Sequence, residues 1–145
     1  MQILDFLVAI NGVGQLWGAN GQFLGLLSNN QYDSNSISNP HGMYGGQHGL
    51  YSISNPHGMY GSQHGLYSPY NSFCLNPPII FFQGQPVIIV TRNAYIQNQG
   101  LAVIDPDLLL GLYAQLTSSN PALRSVPTQL DYLTRASQTI AQCFY

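Results

Sequence analysis

Residues 36–51, SISNPHGMYGGQHGLY, are followed at once by residues 52–67, SISNPHGMYGSQHGLY, so one sixteen-residue unit stands twice in the middle of the chain. Around it, from Ser28 to about Pro78, Ser, Asn, Gly, Tyr and Pro dominate and apolar side chains occur singly. Such a composition resembles low-complexity sequence, but repetition this close argues for order. Matched positions carry Ile37/Ile53, Met43/Met59, Tyr44/Tyr60, Leu50/Leu66 and Tyr51/Tyr67, punctuated by Asn-Pro and Gly. Side chains at one constant period can lie on each other and build a continuous core. Asn39 and Asn55 share a repeat position and are placed to form an amide ladder. Two copies are fewer than a free-standing solenoid needs, so the flanking segments must cap them.

Upstream, Gln15-Leu16-Trp17 and Gln22–Leu27 bracket Asn20-Gly21, which predicts strand, turn and strand within 13–28. Gly12, Gly14 and Gly18 fit turns and match no dinucleotide-binding fingerprint. Residues 2–10 read as a short helix or strand closing one end of the core. Downstream, Pro77-Pro78 ends the repeat region, and 79–91 reads as a second hairpin with Gly84 at its bend. The near-continuous apolarity of its strands implies burial on both faces, or an edge open to pairing with another chain. Asp105-Pro106-Asp107 starts a helix: Asp105 suits the N-cap, Pro106 the first turn, and Asp107 the positive end of the helix dipole. It runs to about Leu116, and a last helix from about Thr128 to Cys143 places Leu130, Leu133, Ala136 or Ser137, Ile140 and Phe144 on one stripe. The expected architecture is α+β and a single domain over 1–145. It is a small mainly-β module, two hairpins plus two stacked sixteen-residue loop/strand repeats, followed by a helical segment over 105–145.

Composition narrows the function. Charged residues make up only 6% of the chain, every acid is Asp, every base is Arg, and the net charge is −2. Typical domains carry about 25% charged residues. A surface built of amides, hydroxyls and tyrosine gets little protection from charge repulsion, which favours self-association. Three Arg supply no cationic stripe for phosphates, so nucleic acid is not the expected partner. No apolar run is long enough for a membrane helix, and the amino terminus, with Asp5 inside its apolar stretch, is not a convincing signal peptide. The chain reads as cytoplasmic or surface-associated rather than integral to a membrane, and the compartment stays open. Cys74 and Cys143 lie far apart without a C-x-x-C spacing and either pair or remain thiols.

From Asn20 to Asp107 the chain resembles a family of small bacterial domains, common in cyanobacteria, with no established function. The resemblance rests on Leu24-Gly25-Leu26-Leu27-Ser28-Asn29-Asn30-Gln31-Tyr32-Asp33, then Ser36-Ile37-Ser38-Asn39. Pro77-Pro78-Ile79, Val90-Thr91-Arg92-Asn93 and Ile104-Asp105-Pro106 follow in order. It implies a compact module of strands and ordered loops and brings no catalytic residue. The chain departs from the family pattern at His41, His48, His57 and His64, where the family tends to have tyrosine. Residues 1–20 and those beyond Leu110 have no counterpart in the pattern.

Those four are all the histidines in the chain, equivalent in pairs across the units. Stacked units would bring imidazoles together, and Zn, Cu or Ni is the cofactor such a cluster would hold. Paired imidazolium ions would also repel near pH 6. Against this, the spacing is no known ligand motif, and His can stand in for Tyr as a flat hydrogen-bonding side chain. Asp105 and Asp107 are explained by capping, Asp33 by a side-chain-capped turn. No nucleophile elbow, phosphate loop or Cys–His signature is present, and so few ionisable groups leave little for acid–base chemistry. The sequence therefore points to a non-enzymatic structural or interaction module. Tyr44, Tyr51, Tyr60, Tyr67, Asn39 and Asn55 would present a Tyr/Asn/Gly surface to another copy, a protein or a polysaccharide. A metal- or ligand-binding domain using His41, His48, His57 and His64 is the alternative.

Overall fold

The apolar runs on either side of Asn20-Gly21 pair antiparallel as β1 (Gly14–Trp17) and β2 (Phe23–Leu27) in a computed structural model that describes residues 2–117. The second hairpin forms β3 (Ile79–Phe82) and β4 (Gln85–Val90), joined at Gln83-Gly84, both with positive φ. β3 also pairs antiparallel with β1, so the two hairpins share one sheet. A third segment, β5 (Ala102–Ile104), adds in parallel to β4. The result is a five-stranded sheet of order β2-β1-β3-β4-β5. Both strands of the second hairpin are thus interior, which corrects the alternative of an edge open to another chain: β1 and β5 flank them.

Strand alternation divides the sheet into two faces. Leu16, Ile80, Phe82, Ile88, Val90 and Ile104 belong to one buried cluster with Phe6, Leu7, Leu109 and Tyr113. Those partners come from two helices, α1 (Ile3–Ala9) and α2 (Pro106–Thr117). α1 resolves the helix-or-strand reading of residues 2–10 in favour of helix and sets Phe6 edge-on to Phe82 at 5.8 Å. The start of α2 is capped as the sequence predicts, with the Asp107 N–H donating to Asp105 Oδ1 at 2.8 Å. The Tyr113 hydroxyl, fully buried on α2, donates to the Leu7 carbonyl of α1 at 2.7 Å. Burial raises its pKa well above the ordinary tyrosine range. The helix expected at 128–143, its apolar stripe and Cys143 lie outside the described residues.

Between the hairpins, residues 28–78 form successive turns, with one isolated bridge between Ser36 and Leu26 of β2. The region is fixed at both ends. Leu26 exchanges backbone bonds with Asn35 and Ile37 at 2.7 and 3.0 Å. At the far end the Arg92 N–H donates to the Pro69 carbonyl at 2.9 Å, and Asn93 Nδ2 donates to the Cys74 carbonyl at 3.0 Å. Ile37 and Ile53 turn into the core cluster beneath the sheet.

Candidate functional site

Each unit is organised by one serine and one asparagine three residues apart. Ser36 and Ser52 are fully buried, and each Oγ accepts the N–H two residues on, from Ser38 and Ser54, at 3.0 Å. Asn39 and Asn55 do not form an amide ladder. Each Oδ1 accepts the N–H two residues on, from His41 and His57, at 3.0 Å. Each Nδ2 instead reaches back six residues to a backbone carbonyl, Asp33 at 3.2 Å and Gly49 at 3.0 Å. Turns leave main-chain groups without ladder partners, and a short amide side chain is the economical way to satisfy one donor and one acceptor at once. These two asparagines are therefore internal braces rather than surface contacts.

A further copy of the same bonding follows where the sequence no longer repeats. Ser68, again fully buried, accepts from the Tyr70 N–H at 3.1 Å. Asn71 accepts from the Phe73 N–H and donates to the Gly65 carbonyl, both at 3.0 Å. The signal was present as Ser-x-x-Asn at 36/39, 52/55 and 68/71, but the residues around the last pair have diverged. Glycines make room for close chain approach: a Cβ at Gly45 or Gly61 would fall 2.4 or 2.2 Å from the carbonyl oxygen of Asn39 or Asn55.

The tyrosines pack on one another. Tyr44, Tyr51, Tyr60 and Tyr67 lie in file, with successive ring centroids 6.1, 6.2 and 6.2 Å apart. The file continues through Phe23, 5.0 Å from Tyr44, to Trp17, 5.2 Å from Phe23. Tyr60 is buried, and its hydroxyl accepts from Asn20 Nδ2 at 2.9 Å. Tyr51 and Tyr67 pack against the core. Of the six side chains expected to form a Tyr/Asn contact surface, Tyr60 is buried and the other five are half-buried, and their rings and amides find partners within the chain.

What faces outward is a different set of matched residues. Met43 and Met59 are 49% and 53% exposed, Leu50 and Leu66 65% and 62%. Sequence reasoning placed these four in the repeat core; Ile and Tyr fill that core instead. Phe73 and Leu75 extend the exposed apolar series beyond the second unit. His41, His48, His57 and His64 are exposed as well. Among the described residues no three His, Cys, Asp or Glu side chains come together in a way that could hold a metal ion. Cys74 is a buried thiol donating to the Leu66 carbonyl at 3.2 Å, and burial pushes its pKa up, away from reactivity.

Three charged residues, Arg92, Asp105 and Asp107, meet beside the repeat. Arg92 bonds Asp105 at 3.2 Å and pairs with Asp107, while its guanidinium lies 4.7 Å from the Tyr70 ring centroid. The Tyr70 hydroxyl donates to Asp107 at 2.8 Å; burial first, then that carboxylate, raises its pKa far above the usual range. Residues isolated in sequence thus form one bracket joining the turn after the second unit, the segment following β4 and the start of α2. One guanidinium thus serves two carboxylates, and its charge-assisted bonds tie the three segments together.

Among the described residues, no helix or strand packs over the opposite face of the sheet. Cross-strand pairing puts Gln15 beside Phe81 and Trp17 beside Ile79. These four, with Val13 and the turns at Gly18–Gly21 and Gln83-Gly84, line a trough of about 740 Å³. Trp17 Nε1 donates to Gln15 Oε1 at 3.0 Å, and among the described residues no ionisable side chain lines the trough. No family model, no curated protein and no solved structure matches this chain.

Proposed function

We propose that this chain is a non-enzymatic interaction module that associates with copies of itself through the exposed apolar row of its repeats. In this reading 36–75 is a short stacked solenoid, anchored to β2 at one end and to the segment after β4 at the other. The observation that carries it is the pairwise exposure of Met43/Met59 and Leu50/Leu66 at equivalent places in the two units. The same side chains recur at a fixed interval on an uncharged segment, so the row is complementary to itself when two copies meet antiparallel about a twofold axis. Large apolar side chains left exposed in matched sets are the raw material of association surfaces. The tyrosine file supports the reading differently, by making the row's scaffold rigid, so that little conformational entropy is lost on contact.

Leu50→Asp together with Leu66→Asp tests this, since both side chains are exposed and their replacement leaves the core untouched. Light scattering coupled to size exclusion, over a wide concentration range, should show concentration-dependent association of the unaltered chain. The double variant should weaken it at least about tenfold, as the loss of two buried leucines implies. A wild-type chain that stays monomeric throughout would overturn the proposal, and so would association indifferent to the two substitutions.

A further inference from the structure

The trough on the open sheet face has a chemical character of its own, independent of the repeat row. Its floor is the outer face of β1 and β3, where Trp17 and Phe81 stand diagonally across the strand pair and Ile79 fills the place between. Its ends are the two hairpin turns, with Gly18, Ala19 and Gly21 at one and Gln83 and Gly84 at the other. Four strand residues at roughly 3.4 Å each make the floor about 14 Å long, longer than a single pyranose ring. A concave, largely apolar site with a few placed polar groups is the ordinary form of a ligand pocket.

The polar groups decide what ligand fits. An indole N–H only donates, so Gln15 must meet Trp17 with its oxygen, at 3.0 Å. That leaves the two Nε2 protons of Gln15 to donate to something else, and Gln83, exposed at the turn, offers a second amide. Among the described residues no Lys, Arg or His lines the trough, so an anionic ligand such as a fatty acid or a phosphate finds no counter-charge there; no Asp or Glu does either, so neither does a cation. A wholly aliphatic ligand would cover the Gln15 amide without satisfying it, which costs free energy. A neutral sugar meets both requirements, because its C–H face packs on aromatic rings while its hydroxyls bond amides at the rim.

We infer that the β1–β3 trough binds a neutral oligosaccharide, with Trp17 and Phe81 as the stacking platform and Gln15 and Gln83 as hydroxyl partners. Trp17 is the only tryptophan in the chain, so its emission reports occupancy directly. Titration with neutral hexasaccharides of β-1,4-glucan, α-1,4-glucan, chitin and xylan should produce a saturable spectral shift with at least one of them. Gln15→Ala should raise the dissociation constant about tenfold, the loss of one or two hydrogen bonds, while melting at the unaltered temperature. Gln83→Ala, on an exposed turn, repeats the test should Gln15→Ala prove unstable. Decanol serves as the aliphatic comparison. Absence of a shift with all four glycans at millimolar concentration overturns the inference, as does saturation by decanol alone or a glycan titration unchanged in a properly folded Gln15→Ala protein.

Discussion

Asn55 shows how much of this fold rests on single polar side chains. Its amide satisfies the Gly49 carbonyl on one side and the His57 N–H on the other, both at 3.0 Å. Removing both partners leaves two main-chain groups to find water or go unpaired, at about 1–3 kcal/mol per buried group. Asn55→Ala should therefore lower unfolding free energy by roughly 2–4 kcal/mol. Asn55→Asp keeps an acceptor for His57 but faces the Gly49 carbonyl with an oxygen. It should fall nearer the alanine variant than the wild type in urea titrations at neutral pH. A carboxylate as stable as the amide would show that the bond to Gly49 contributes nothing.

At the level of elements, both hairpins were legible because each pairs β-branched or aromatic runs across a Gly-bearing turn, and α2 because Asp105 and Pro106 mark its start. β5 was not legible, since three residues carry no period and its partner is selected by the parallel register with β4. The orientation of the repeats was half legible. Repetition identified which positions are equivalent, but not which of Met, Leu, Ile and Tyr would turn inward. That choice depends on what each position meets, and the partners of the tyrosines, Phe23 and Asn20, lie in β2 and the turn before it. The Trp17–Gln15–Phe81 trough was equally hidden, because residues distant in sequence become neighbours only once β1 and β3 pair. Gly25 marks where repeat and sheet join. It sits in β2 at φ 129°, and a Cβ there would come 2.8 Å from Ile37 Cγ2 and 3.0 Å from Tyr44 Cβ. Gly25→Ala should cost more than the ~1 kcal/mol of an unfavourable φ alone, since the first unit would have to lift from the strand. Thermal melting checks this, and an unchanged melting temperature would mean that the contact is soft.

Across the whole molecule, Tyr113 links the first helix to the last one described. α1 is seven residues long, and a helix that short ends with carbonyls lacking partners of their own. The Tyr113 hydroxyl satisfies one of them, that of Leu7. Because burial raises the folded-state pKa of this phenol, the folded protein keeps a proton that the unfolded chain releases above about pH 10. Below that pH the contribution to stability is constant; above it, stability falls as pH rises, by up to about 1.4 kcal/mol per pH unit. Tyr113→Phe should reduce stability by about 1 kcal/mol at neutral pH and should make this alkaline decline shallower, the remainder coming from Tyr70, whose pKa is raised as well. Denaturation measured at pH 8 and pH 11 for both proteins checks it, and parallel declines would place the alkaline sensitivity elsewhere.

The line of rings from Tyr67 to Trp17 has an optical consequence. Each ring lies 5.0–6.2 Å from the next, well inside the range over which an excited tyrosine passes its energy to a neighbour. Trp17, the lowest-energy chromophore, stands at the end of the line. Light absorbed by the repeat tyrosines should therefore leave from Trp17, giving the folded protein a tryptophan-type emission despite its ten tyrosines. The colour of that emission registers in one signal whether the repeats remain seated against β2.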